Sequence, residues 1–305
     1  MSSQKQETIL QGIYPPLPTF FDAQEELDLV TYQRHMRFLA NTGIAGYVVM
    51  GTNGEAVHLN SEERVRLIAA TREAGGPDAQ VVAGCGEQST RATIANCRLM
   101  ASAGADFALI LPPSYYKSRM DQRALIAHYR MIADNSPLPV VIYNMPASAA
   151  GLDLDAATIC TLAEHTNIVA VKDSAGNMAK LAHIVARMGP RFRVFAGSAG
   201  YLLPALTVGA VGAVAALANV FPREVCRVQE LFTTGRLAEA RLLQARLVAA
   251  NTAVTTTYGV PGLKAALELR LSYGGRPRSP LQPLTDQERK TLQEILKGVS
   301  STEER

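Results

Sequence analysis

Lys172 closes the apolar run Ile168 to Lys172, and an amine at the mouth of a buried strand can do carbonyl chemistry. Held away from water, an ammonium loses part of its advantage over the free amine, and the free amine is a nucleophile able to form a Schiff base with a ketone or aldehyde. The ordinary alternative is a lysine whose stem packs on apolar neighbours while its head reaches solvent. The chain has 30 Lys plus Arg, of which seven are Lys; the other six (Lys5, Lys117, Lys180, Lys264, Lys290, Lys297) stand in polar, helical or terminal sequence. Lys172 is the exception by context.

The ends of other apolar runs supply groups that suit such an amine. Gly51-Thr52-Asn53-Gly54-Glu55 combines turn-permitting glycines with a hydroxyl, an amide and backbone N–H groups, a cluster fit for a carboxylate or a developing oxyanion, although a polar turn has the same composition. Tyr115 and Tyr116 follow a rigid double proline, where aromatic residues serve either a site or a subunit interface. Tyr143, at the end of the run before that of Lys172, is core filler or a proton shuttle. Gly197-Ser198-Ala199-Gly200 leaves room for a ligand and offers N–H donors. Asp173, directly after the lysine, is expected to support its strand or cap the next segment.

These residues need elements to position them. Apolar runs bounded by Gly, Pro or Asn predict strands at Ile13–Phe21, Gly46–Met50, Gln80–Gly84, Phe107–Leu111, Pro139–Tyr143, Ile168–Lys172, Arg193–Ala196 and Ala213–Leu217. Helical periodicity fills the intervals, at Leu29–Asn41, Ser61–Glu73, Ser89–Ala103, Gln122–Asp134, Leu154–His165, Met178–Met188 and Tyr201–Val208. Eight strands alternating with helices predict an α/β fold of the (β/α)8 TIM barrel type, and continuous apolar strands fit parallel pairing with both faces covered. Residues 1–225 are assigned to the barrel and 226–305 to a helical extension packed on it. A doubly wound sheet is disfavoured, because Gly84-Cys85-Gly86 is followed by Ser89 at the third glycine position and does not follow the first strand. In a barrel the catalytic residues collect at the C-terminal strand ends, which is where the groups above stand.

Composition excludes several function classes. With 305 residues, 48% hydrophobic and 19% charged, the chain can bury one large core. Its net charge of +3 is dispersed among interleaved Arg and Glu, so neither nucleic acid nor a membrane surface is the expected partner. Cys85, Cys97, Cys160 and Cys226 are isolated and fit free thiols in a reducing, cytoplasmic compartment. The polar N-terminus resembles neither a signal nor a transit peptide, and the longest apolar stretch, Val208 to Val220, is too short to span a bilayer. The five histidines are scattered, so no metal site is expected. Glu55 and Asp173 are the only acids at strand ends, which does not suit a glycosidase.

Gly51-Thr52-Asn53-Gly54-Glu55, Tyr143-Asn144-Met145-Pro146 and Val171-Lys172-Asp173-Ser174, in this order, resemble the Schiff-base (class I) pyruvate aldolase family that includes dihydrodipicolinate synthase, N-acetylneuraminate lyase and 4-hydroxy-2-oxoglutarate aldolase. The likeness covers nearly the whole chain. Gly12 to Pro16, Gly197 to Tyr201, Gly209 to Gly212, Ala216 to Asn219 and Tyr258 to Lys264 are most similar to the 4-hydroxy-2-oxoglutarate aldolase branch. The resemblance implies an imine on Lys172 with pyruvate or the 2-oxo end of a longer acid. It implies a proton relay through Tyr143, Thr52 and Tyr116, the last from a neighbouring subunit, with Tyr115 as the alternative. Gly51, Asn53, Gly197, Ser198 and Val214 are the accompanying substrate-binding residues, no cofactor is required, and a homo-oligomer, dimer or tetramer, is implied. Dihydrodipicolinate synthase carries an arginine shortly after Y-N-x-P, whereas Ala147 to Ala150 has no cation. That departure disfavours dihydrodipicolinate synthesis and leaves 4-hydroxy-2-oxoglutarate, 3-deoxy-2-oxo sugar acids and a non-catalytic 2-oxo acid sensor as readings, with Lys117 and Arg119 as possible sources of the missing charge.

Overall fold

The computed structural model describes residues 10–300. Eight strands, β1 (Gly12–Tyr14), β2 (Gly46–Val49), β3 (Gln80–Gly84), β4 (Phe107–Ile110), β5 (Val140–Asn144), β6 (Ile168–Asp173), β7 (Arg193–Ala196) and β8 (Gly212–Val214), pair in parallel in the order β1-β8-β7-β6-β5-β4-β3-β2. Hydrogen bonds from Leu17 N to Val48 O and from Ala45 N to Ile13 O close β1 onto β2, giving the expected (β/α)8 barrel. The helices between strands are α1 (Leu29–Leu39), α2 (Ser61–Gly75), α3 (Thr90–Ala103), α4 (Gln122–Asn135), α5 (Ala156–Leu162), α6 (Met178–Met188) and α7 (Leu202–Thr207). Helix α8 (Pro222–Thr233) completes the ring and runs through the expected 225/226 boundary; α9 (Leu237–Thr252), α10 (Gly259–Leu271) and α11 (Asp286–Ser300) follow it.

Six of the helices begin at a side-chain cap. Asp28, Asn60, Ser89, Asp121, Asp155 and Asn177 each accept a hydrogen bond from the third backbone N–H after them, and Asn60 with Glu63 forms a reciprocal capping box. Strand periodicity then sorts the side chains. Tyr14, Val48, Val82, Leu109, Val141, Phe195 and Val214 pack together inside the barrel, while Val49, Val81, Ile110, Ile142, Val171 and Val194 face the helix layer.

Several expected boundaries move, three of them for a clear physical reason. The first strand ends at Tyr14 rather than Phe21, because Pro15, Pro16 and Pro18 have no N–H for a ladder. The last strand ends at Val214 rather than Leu217; Ala216–Asn219 turns instead, with Asn219 Nδ2 donating to Pro16 O and Ala216 O. Helix α5 starts at Ala156 rather than Leu154, since the Leu154 N–H is taken by Asn144 Oδ1 and Asp155 supplies the cap. Among the described residues no helix is long and apolar enough to cross a membrane.

Candidate active site

Tyr143 and Lys172 are register partners on β5 and β6, so both side chains enter the barrel mouth from the inward-facing row. Lys172 is 5% exposed and Tyr143 is 4% exposed. The Lys172 Nζ lies 3.8 Å from the centroid of the Tyr143 ring, and Tyr143 OH is 3.1 Å from Thr52 Oγ1. An amine, a phenol and a hydroxyl therefore stand in contact in sequence.

Two further lysines are buried, contrary to the sequence expectation that Lys172 stands alone. Lys264 is paired with Glu55 at 2.6 Å, and Lys180 with Asp153 at 2.6 Å and Asp173 at 2.8 Å. Their helical context hid this, because helical periodicity does not reveal that a carboxylate from a distant strand end meets the helix. Burial pushes the Lys264 ammonium down from the ordinary lysine range, and Glu55 opposes that shift. Lys172 differs from both in having no carboxylate within ion-pairing distance among the described residues. Its partner is the face of Tyr143, and its head opens into a cavity of about 540 Å³.

The residues immediately after Tyr143 and Lys172 tie together the strand ends that present the two side chains. Asn144 and Asp173 are also register partners, but they point outward and are fully buried. Asn144 Nδ2 donates to Asp173 Oδ2 at 2.8 Å and to Asp153 Oδ1 at 2.7 Å, while Asn144 Oδ1 accepts from Leu154 N at 2.9 Å. Asp173 Oδ1 accepts from Ala175 N at 3.0 Å, and Tyr201 OH donates to Asp173 O at 3.0 Å. For Asp153, burial acts upward, but the bonds from Lys180 and Asn144 outweigh it and hold the carboxyl below its ordinary range. Asn144, Asp153 and Lys180 were not singled out from sequence. The available signal was a pair of polar residues one step past two candidate catalytic residues, on the face that must meet the helix layer.

The Thr52 loop is anchored in the same manner. Met50 and Glu55, which flank it, both adopt left-handed backbone conformations, at φ 57° and 53°. Gly84 permits the turn, since a Cβ there would lie 1.9 Å from Met50 O. The Glu55 carboxylate points away from the cavity and holds Lys264, the Arg278 N–H at 2.9 Å and His58 at 3.1 Å, tying the loop to the C-terminal segment. Glu55 is thus structural.

The cavity around Lys172 also contains Thr52, Asn53, Tyr143, Gly197, Ser198 and Val214 of the expected set. Gly197 has to be glycine, because a Cβ would meet Ser174 Oγ at 2.0 Å and Asp173 O at 2.7 Å. Gly51 borders a separate cavity of about 260 Å³ on the other side of the Thr52–Tyr143 pair, together with Arg64. Tyr115 and Tyr116 do not line the lysine cavity of their own chain; they pack edge to face and are 80% and 71% exposed. Lys117 and Arg119 are likewise exposed and outside it. Among the described residues lining this cavity, Lys172 is the only one with a charge. Sequence reading placed Ser174 beside Lys172 without assigning it to the cavity, and it missed Asn251, Thr252, Thr255 and Thr256, which line the cavity from the C-terminal helical segment.

Comparison with known proteins bears on this geometry. The family model described as the dihydrodipicolinate synthetase family matches residues 9–299. The chain is 43% identical over 290 residues to a protein of Emericella nidulans named "Probable 4-hydroxy-2-oxoglutarate aldolase, mitochondrial", covering 94% of each. It is 37% identical over 305 residues to the L-threo-3-deoxy-hexylosonate aldolase of Hypocrea jecorina, covering 96% of each. A prophage protein of the dihydrodipicolinic acid synthase family from E. coli K12, solved in complex with pyruvate, superposes with a TM-score of 0.89 at 27% identity, covering 96% of this chain and 99% of that one. With a family match across the barrel and the extension, and an unpaired lysine and a tyrosine facing each other at the ends of β5 and β6, the chain belongs to the dihydrodipicolinate synthetase family.

Proposed function

We propose that this protein is a class I aldolase that cleaves a 4-hydroxy-2-oxo acid through an imine on Lys172, with 4-hydroxy-2-oxoglutarate, giving pyruvate and glyoxylate, as the leading substrate. The observation that carries the reading is the contact of Lys172 Nζ with the Tyr143 ring at 3.8 Å, in a cavity where no carboxylate engages the amine. The relative named for 4-hydroxy-2-oxoglutarate supports the choice of substrate.

In the first step the Lys172 amine adds to C2 of the substrate, and loss of water gives a protonated imine. As Tyr143 oxygen receives the C4 hydroxyl proton, its own proton passes to Thr52 Oγ1, 3.1 Å away, and the Thr52 proton moves on through the neighbouring subunit's tyrosine to solvent, the same relay later returning a proton. The C3–C4 bonding pair flows into the imine, forming an enamine and releasing the aldehyde half. Protonation at C3 and hydrolysis then return pyruvate and the free amine. Thr52, Asn53 and the amides of their loop suit the C1 carboxylate. The paired exposed tyrosines fit an interface in a homo-oligomer, in which Tyr116, or Tyr115, of a neighbouring subunit completes the relay. Four unpaired cysteines favour a reducing compartment, which we take to be the cytoplasm.

A second reading, cleavage of 3-deoxy-2-oxo sugar acids to pyruvate and a neutral aldehyde, is favoured by the cavity's lack of any cation besides Lys172. The same lack, with Ala147 and Ser148 where a carboxylate-binding arginine would be required, weighs against dihydrodipicolinate synthesis. Borohydride added with pyruvate should leave a covalent adduct on Lys172, located by peptide mass spectrometry and missing in Lys172→Ala. No adduct on the wild-type protein, or aldolase turnover by Lys172→Ala, ends this reading.

A further inference from the structure

Lys264 on α10 is 1% exposed, and its ammonium meets the wholly buried side chain of Glu55 at 2.6 Å. It also donates to Arg276 O at 2.9 Å and lies 4.6 Å from the centroid of the Phe21 ring. Taking two ions out of water is costly, and the best-attested use of such a pair is to fix the register of the elements that carry it. Here those elements are two walls of the Lys172 cavity. Lys264 stands one helical turn after Val260, which with Gly259 lines the cavity. Glu55 closes the Thr52–Gly54 turn, its N–H donating to Thr52 O at 3.1 Å, and Thr52 and Asn53 line the same cavity.

The turn needs holding. Glu55 has a left-handed backbone at φ 53°, as does Met50 on its other side at φ 57°. A non-glycine residue in that conformation costs free energy and persists where its surroundings over-determine it. Around Glu55 they do so through Lys264 at Oε1, through Arg278 N at 2.9 Å and His58 Nδ1 at 3.1 Å on Oε2, and through Thr19 Oγ1, which donates to Gly54 O at 2.7 Å. Lys264 supplies the charge-assisted contact shielded from water, the strongest kind in this set. What the turn delivers is Thr52 Oγ1, 3.1 Å from Tyr143 OH. That distance is already long for two hydroxyls, so a small shift of the loop breaks the bond.

We infer that Lys264, acting through Glu55, is a positioning residue for Thr52 Oγ1, so that a helix outside the barrel governs proton transfer at the barrel mouth. This inference rests on the Lys172 aldolase reading and adds to it the dependence of the relay on α10. The test measures kcat, for the better of the two proposed substrates, per Lys172 trapped by pyruvate and borohydride. It is run on wild type, Lys264→Met, Thr52→Val and the double variant. Lys264→Met should still trap pyruvate but lose about 10–100-fold in kcat per trapped site, the scale expected when a reacting group is displaced by about 1 Å. In the Thr52→Val background the same substitution should cost less than about threefold, because the hydroxyl it positions is gone. A lysine with a merely structural role would lower the number of trapped sites rather than their rate. A rate per trapped site within about threefold of wild type in Lys264→Met, an equal loss in both backgrounds, or a Thr52→Val rate equal to wild type overturns the inference. If Lys264→Met does not fold, its combination with Glu55→Gln, which leaves no bare charge behind, takes its place. Failure of trapping in the wild type refutes the aldolase reading itself, whereas trapping with additive losses refutes only the role of Lys264.

Discussion

Replacing Lys180 by Met should destabilise the barrel at the strand ends that present Tyr143 and Lys172. The substitution keeps much of the aliphatic stem but removes the ammonium, which contacts Asp153 at 2.6 Å and the wholly buried Asp173 at 2.8 Å. Asp173 would keep the bonds from Asn144 Nδ2 and Ala175 N but lose the one cation paired with it among the described residues. Removing one partner of a buried ion pair costs about 3–5 kcal/mol, most of it the penalty for the charge left behind. The Asp153 side chain is 49% exposed, so Asp153→Asn should cost no more than about 1 kcal/mol. With an unfolding entropy of about 0.6 kcal/mol per kelvin for a chain of this length, the two losses correspond to Tm decreases of about 5–8 °C and under about 2 °C. Thermal unfolding followed by circular dichroism gives both values. Because Asp173 adjoins Lys172, kcat should also fall in Lys180→Met. A Tm decrease below about 2 °C for Lys180→Met, or an equal decrease for Asp153→Asn, would show that the network does not depend on its buried pair.

Tyr143→Phe keeps the ring beneath Lys172 and deletes the hydroxyl 3.1 Å from Thr52 Oγ1. Turnover should fall by about 10²–10⁴ while pyruvate is still trapped on Lys172, and a rate within about tenfold of wild type would remove Tyr143 from the relay. Burial pushes the His35 imidazole down from 6.5 to about 4, against a raising bond from Asn219, and burial also lowers His128 to about 4. In both cases the folded protein resists protonation, so these contributions are complete above pH 6.5 and are lost as pH falls from 6.5 towards 4, by up to about 3 kcal/mol for each histidine. Unfolding free energies measured between pH 7 and 5 should decline, and His35→Gln should halve the slope; an unchanged slope would contradict a neutral buried His35.

The amino-acid sequence by itself determined the repeating architecture and the identity of the reacting groups. Strand and helix periodicities differ enough that eight alternations are countable, and a barrel sends whatever follows each strand to one face. Hence Lys172, Tyr143, Thr52, Asn53, Gly197 and Ser198 are assignable to one barrel face from sequence, with Val214 added by the family resemblance, and all seven line one cavity. Pro15, Pro16 and Pro18, which end the first strand at Tyr14, are legible in the sequence too, but the apolar run through Phe21 masks their effect on its length.

Tertiary structure alone decided which charges are spent on structure and which remain for chemistry. Lys264 and Lys180 meet Glu55 and Asp173 across long sequence separations, and no local pattern reports such a meeting. The same holds for Asn251, which lies on a helix after the barrel and meets Ser198, 53 residues away in sequence, where Gly200 leaves room for its amide. Residue type and spacing fix what a side chain can do. Whether its hydrogen bonds and charge are already taken depends on neighbours that only the folded chain supplies, and for Lys172 the fold left the amine without a carboxylate.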